Sequence, residues 1–65
     1  MHKHIYRLFH TVAGVKRLIV VLVMDAEATH AQLVAEAHKR YGIARDLTEV
    51  ADVEHTSILV KRSAA

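Results

Sequence analysis

Six histidines are the least ordinary feature of this 65-residue chain: His2, His4, His10, His30, His38 and His55. Imidazole is the commonest nitrogen ligand for zinc, copper and nickel, and its charge changes near neutral pH. Metal binding and pH sensing are therefore the first chemistries to weigh. On spacing, His2 and His4 could share one strand face about 7 Å apart, which suits a common ion. His30 and His38 would stand about 12 Å apart along a helix, too far to share one. Neither HxxxH nor HExxH occurs. The histidines read mainly as surface or half-buried side chains. No metal or cofactor is expected, and His2 and His4 are the candidates if an ion binds.

Covalent catalysis needs a nucleophile beside a base and an orienting acid. The serines are Ser57 and Ser63, neither in a strand-to-helix elbow, and there is no cysteine. The carboxylates Asp25, Glu27, Asp46, Glu49, Asp52 and Glu54 are scattered, and two glycines, Gly14 and Gly42, make no phosphate loop. A chain this short is not expected to enclose a pocket of several hundred Å³ alone, though a dimer interface could. The expectation is a protein that is not an enzyme.

Charge carries more content. Residues 1–24 hold Lys3, Arg7, Lys16 and Arg17 and no acid, whereas residues 25–60 hold three basic and seven acidic side chains. Lys61 and Arg62 follow. A basic N-terminal hairpin beside that C-terminal pair would form one positive face for nucleic acid or another partner. Against nucleic acid stand a net charge of only +2 and three aromatic residues, too few for a stacking platform. The same segregation serves pairing between protein surfaces.

The elements that must position these residues form one domain spanning 1–65. With 52% apolar residues the chain is not disordered. Its longest apolar run, Leu18 to Met24, is far short of the roughly 20 residues that span a membrane. Lys16-Arg17, that run and Ala26-Glu27-Ala28 faintly outline a secretory signal, but Asp25 interrupts an already short core. No export signal and no cysteine suit a reducing cytoplasm, so a cytoplasmic protein without membrane partners is expected.

A helix is predicted over 29–41. Thr29 and Gln32 have capping-box spacing, Leu33, Val34, Ala37 and Tyr41 make one stripe, and Gly42 supplies the stop. Residues 17–24, Arg-Leu-Ile-Val-Val-Leu-Val-Met, read as a strand that is apolar on both sides, the pattern of a central strand covered twice. Residues 4–13 fit a strand, with Tyr6, Leu8, His10 and Val12 on one face, or a helix ending at Gly14. The strand is favoured because 17–24 needs a hydrogen-bonded neighbour. A last strand is predicted at Ile58 to Val60. Glu49 to Val53 is a candidate short strand with Glu54-His55-Thr56 as its turn, and 63–65 is a frayed tail.

The expected fold is a small α+β domain: an antiparallel-rich sheet with one covering helix, β-β-α-β, or β-β-α-β-β if that last hairpin forms. One helix covers one sheet face, and a single core is marginal at this size. A homodimer is therefore expected, with Ile19, Val21 and Val23 at its interface. In size and element order the chain is similar to many small accessory proteins of phages and mobile elements, a likeness without a motif. The expected function is a non-enzymatic, homodimeric interaction module that regulates or inhibits a larger protein. The alternatives are a nucleic-acid-binding dimer and a histidine-based metal or pH site.

Overall fold

A computed structural model describes residues 2–60. Lys61, Arg62 and the tail 63–65 lie outside the described residues. The elements are β1 (His2–Val12), β2 (Val15–Met24), α1 (His30–Tyr41), α2 (Arg45–Glu49) and β3 (Asp52–Leu59). The α+β class, the antiparallel pairing and the strand at residues 4–13 agree with the sequence reading.

Ala13 and Gly14 reverse the chain between β1 and β2 with φ of 51° and 77°. Positive φ at both central residues matches the twist of the flanking strands. Glycine adopts it freely, whereas the Cβ of Ala13 crowds its own backbone there. Ala13→Asn keeps the turn with a residue that tolerates this region. It is expected to stabilise the domain by about 0.5–1 kcal/mol, read as a melting point a few degrees higher. An unchanged or lower melting point would contradict this origin of strain.

Strand order is β2-β1-β3. The doubly apolar strand is therefore an edge, not the centre: β1 is central, hydrogen-bonded to both neighbours. An immediate hairpin only requires β2 to touch β1. The hydrogen-bonding edge that β1 then leaves open is taken by β3. β2 also bulges, since Leu8 pairs with Val20 and Phe9 with Leu18, leaving Ile19 as the extra residue.

α1 begins and ends as its sequence dictates. The Thr29 Oγ1 accepts from the Gln32 N–H at 3.2 Å and the Gln32 Oε1 accepts from the Thr29 N–H at 2.8 Å. Gly42, at φ 66°, donates its N–H to the His38 carbonyl at 2.9 Å. Glu36 and Arg40 pair at 2.6 Å. Thr29→Ala removes the cap and is expected to cost about 1 kcal/mol, measurable by urea unfolding; a loss under a few tenths would mean that packing alone holds the first turn.

Residues 43–53 differ from expectation. Arg45–Glu49 is a second helix, and Glu54, His55 and Thr56 lie inside β3 rather than in a turn. The strand thus starts at Asp52, not Ile58. Its polar residues show no alternation to read; pairing with His2–Phe9 of β1 imposes the extended form. α2 is held by one side-chain bond within itself and one from α1. Thr48, fully buried, donates its hydroxyl to the Arg45 carbonyl at 3.1 Å, and its own carbonyl accepts from the His30 Nε2–H at 2.7 Å.

The core lies between α1 and one sheet face. Tyr6, Leu8, Val20 and Leu22 pack with Leu33, Ala37 and Ala51. Tyr41, expected on the helix stripe, is exposed because the helix runs past the packed region. The Tyr6 hydroxyl accepts from the Ala28 N–H at 2.9 Å, tying the β2–α1 loop to the sheet.

Candidate functional site

The sheet face turned away from α1 collects the side chains of opposite parity to Tyr6 and Leu8. Register places Ile5 beside Val23 and Thr56, Arg7 beside Val21 and Glu54, and Phe9 beside Leu18 and Asp52. Its apolar members are left in solvent in the single chain: Leu18 is 54% exposed, Val23 49%, Ile58 42% and Val21 37%. The expectation that 17–24 is shielded on both sides is met by this chain on one side only. Val21 and Val23 lie on the bare face, whereas Ile19, at the bulge, packs against the core.

Cations and anions are interleaved across that face. Lys3 pairs with Asp25, Lys16 pairs with Glu54 at 2.6 Å and sits 4.5 Å from the centre of the Phe9 ring, and Arg7 donates to the Thr56 hydroxyl at 3.4 Å. The hydrogen bond and charge of Lys3 hold the Asp25 carboxyl below its usual pKa. Arg17 stands opposite His10 in the other register, in a groove at the hairpin end with Val12, Ala13 and Val15. The six basic residues picked from sequence are thus divided: Lys3, Arg7 and Lys16 share the bare face, Arg17 does not, and Lys61 and Arg62 lie outside the described residues.

The histidines divide as well. His30 Nε2 and His38 Nδ1 lie 2.7 Å and 3.2 Å from the carbonyls of Thr48 and Ile43. A carbonyl only accepts, so each ring nitrogen carries its proton there, and both histidines join α1 to the segment that follows it. His4 finds its partner in His55 on β3, not in His2: His4 Nδ1 and His55 Nε2 are 2.9 Å apart. The His55 ring stacks on His4 at 5.1 Å and on Tyr6 at 4.4 Å. His2 has the same strand parity as His4, but among the described residues no three His, Cys, Asp or Glu side chains are grouped to hold an ion.

Sequence reading missed His55 and the apolar partners Leu18 and Ile58. The alternation that puts Ile5 and Phe9 opposite Tyr6 and Leu8 was a usable signal for the bare face. Nothing local points from His4 to a residue 51 positions away.

Although a pocket of several hundred Å³ is not expected of so short a chain alone, an open cleft of about 450 Å³ lies between α1 and α2, lined by His30, Ala31, Val34, Ala35, Arg45 and Glu49. Among the described residues, no helix is long and apolar enough to cross a membrane. Fold and site together define a small α+β protein with one sheet face covered by helix and one bare. Comparison with protein-family models, curated proteins and solved structures finds no match.

Proposed function

We infer that this chain is a non-enzymatic interaction module that works as a homodimer and regulates or inhibits a larger protein by occupying part of its surface. The observation carrying this reading is the bare face, where Leu18, Val21, Val23 and Ile58 are 37–54% exposed beside the half-buried Ile5 and Phe9. A second copy across a two-fold axis would cover the same patch on both chains at once. It would also add the buried surface that a domain of this size lacks. Because Lys16 and Glu54 already neutralise each other within the chain, a second copy can cover this face without leaving either charge unpaired. With the sheet face so occupied, the outer side of α1 and the α1–α2 cleft remain for the larger partner.

Nucleic acid is the less favoured partner. Two of the three basic residues on the bare face, Lys3 and Lys16, are engaged by carboxylates, and releasing them offsets part of what phosphate contact would contribute. A cytoplasmic setting belongs to the same proposal and rests on composition alone.

Sedimentation velocity over a wide concentration range tests the dimer. The expected result is a species of twice 7.3 kDa that dissociates on dilution; a 7.3 kDa species at every concentration overturns it. A low-salt gel shift with duplex DNA separates the partner classes. A complex that weakens steeply with salt and is lost when Lys16 and Arg17 become alanine would replace the protein partner by nucleic acid.

A further inference from the structure

We propose that His4 and His55 form a two-nitrogen site for a divalent transition-metal ion, best suited to Cu(II) or Ni(II), that clamps β3 onto β1. The proposal stands apart from the dimer reading, since these residues lie on the helix-side face of the sheet.

Three observations carry it. First, the nitrogens are already at the right separation. With metal–nitrogen bonds of about 2.0–2.1 Å, two cis ligands at a right angle stand about 2.9 Å apart, and at a tetrahedral angle about 3.3 Å. The His4 Nδ1 to His55 Nε2 distance is 2.9 Å, a hydrogen-bond length that is also the cis separation of square Cu(II) or Ni(II) coordination. Second, the backbone holds both residues independently of the ion. Tyr6 pairs directly with His55, and His4 pairs with Ser57, so the two imidazoles meet on a diagonal of the β1–β3 ladder. Third, the His55 ring is positioned by stacking at 4.4 Å and 6° on Tyr6, itself buried and anchored by the Ala28 N–H.

Loading replaces the hydrogen bond between the two rings. The proton that bridges the two nitrogens moves to the far nitrogen of its own ring. Each ring turns from its nearly head-on contact by roughly 30–45° so that the lone pairs meet beside the line joining them, His4 moving more freely than His55, which lies on Tyr6. With no third protein ligand grouped there among the described residues, the ion keeps water in its remaining positions, so binding is moderate rather than structural. The clamp falls where the fold is thinnest, because every residue of β3 is exposed and the strand's ladder partner is β1. An ion bound only in the folded state would raise its stability by mass action.

The competing ligand is His2, which shares its strand parity with His4, so the test is run in a His2→Gln background. Cu(II) is titrated into the full-length His2→Gln protein near neutral pH, with melting temperature and electron paramagnetic resonance as readouts. One Cu(II) per chain, a melting point higher by several degrees, and hyperfine splitting from two imidazole nitrogens are expected. Adding either His4→Gln or His55→Gln should lower affinity at least tenfold and remove one nitrogen from the spectrum. Circular dichroism establishes that each variant is folded, and His4→Gln carries the test if His55→Gln is not. No binding in the His2→Gln protein overturns the proposal. So does unchanged binding in the double variants, or a single coordinating nitrogen.

Discussion

Leu22→Ala is expected to remove a large share of the stability of the folded chain and to lower its melting point by at least about 10 °C. Leu22 is fully buried and belongs to the same packed group as Leu8, Tyr6, Val20, Leu33, Ala37 and Ala51. Removing a buried leucine's outer carbons typically costs 2–5 kcal/mol, because the transfer energy is lost and the cavity closes only partly. At about 0.05–0.15 kcal/mol per residue, a domain of this length has roughly 3–10 kcal/mol in all. The group has little capacity to collapse inward, since opposite the sheet it meets Leu33 and Ala37 of α1 and Ala51 of the link before β3, two of them already alanine. Thermal unfolding followed by circular dichroism checks this. A melting point lowered by less than about 10 °C, when each kcal/mol moves a small domain by roughly 4–8 °C, would mean that the core is elsewhere. Leu18→Ala is the internal comparison, because that leucine is on the same strand but 54% exposed on the other face.

The second large effect concerns that other face. Val21→Lys with Val23→Lys should convert the proposed dimer to monomer while leaving the folded chain intact. Both valines are partly exposed in the single chain, at 37% and 49%, so a lysine there reaches water in the monomer and disturbs no core contact. In a two-fold dimer the same positions are buried against their own copies. Four ammonium groups would then meet in one dry patch, and burying even one unpaired charge costs about 3–5 kcal/mol. With tenfold in affinity for each 1.4 kcal/mol, the dissociation constant should rise by two orders of magnitude or more. Sedimentation at fixed concentration reads this directly. Retention of the dimer would move the interface to an open strand edge. Unfolding of the variant at low concentration, where the native chain is also monomeric, would instead mean that the valines serve the single-chain core.

How far these features were legible from sequence depends on whether the determinant was local. The helix was readable to within one residue, because Thr29, Gln32 and Gly42 satisfy backbone groups within a few positions of themselves. The hairpin was readable for the same reason, its reversal being carried by Ala13 and Gly14. The apolar content of residues 18–24 was enough to demand a strand and to leave one of its faces in want of cover, and among the described residues nothing supplies that cover. These are consequences of side-chain type, period and short-range hydrogen bonding.

Tertiary structure decided what depends on distant partners. Whether Leu18 to Met24 ran through the centre or along an edge hung on which side β3 would join, and β3 itself is polar enough to give no periodic signal. The turn expected at Glu54-His55-Thr56 became strand because β1 had an open ladder of hydrogen bonds to fill. Residues 45–49 became helix with Thr48 inside and His30 capping its carbonyl from another helix. The histidines make the same point most simply. Spacing along the chain can match His4 only with a neighbour such as His2, whereas the pairing of β1 with β3 brings up His55, and a register between strands is set by the summed packing of both rather than by either residue.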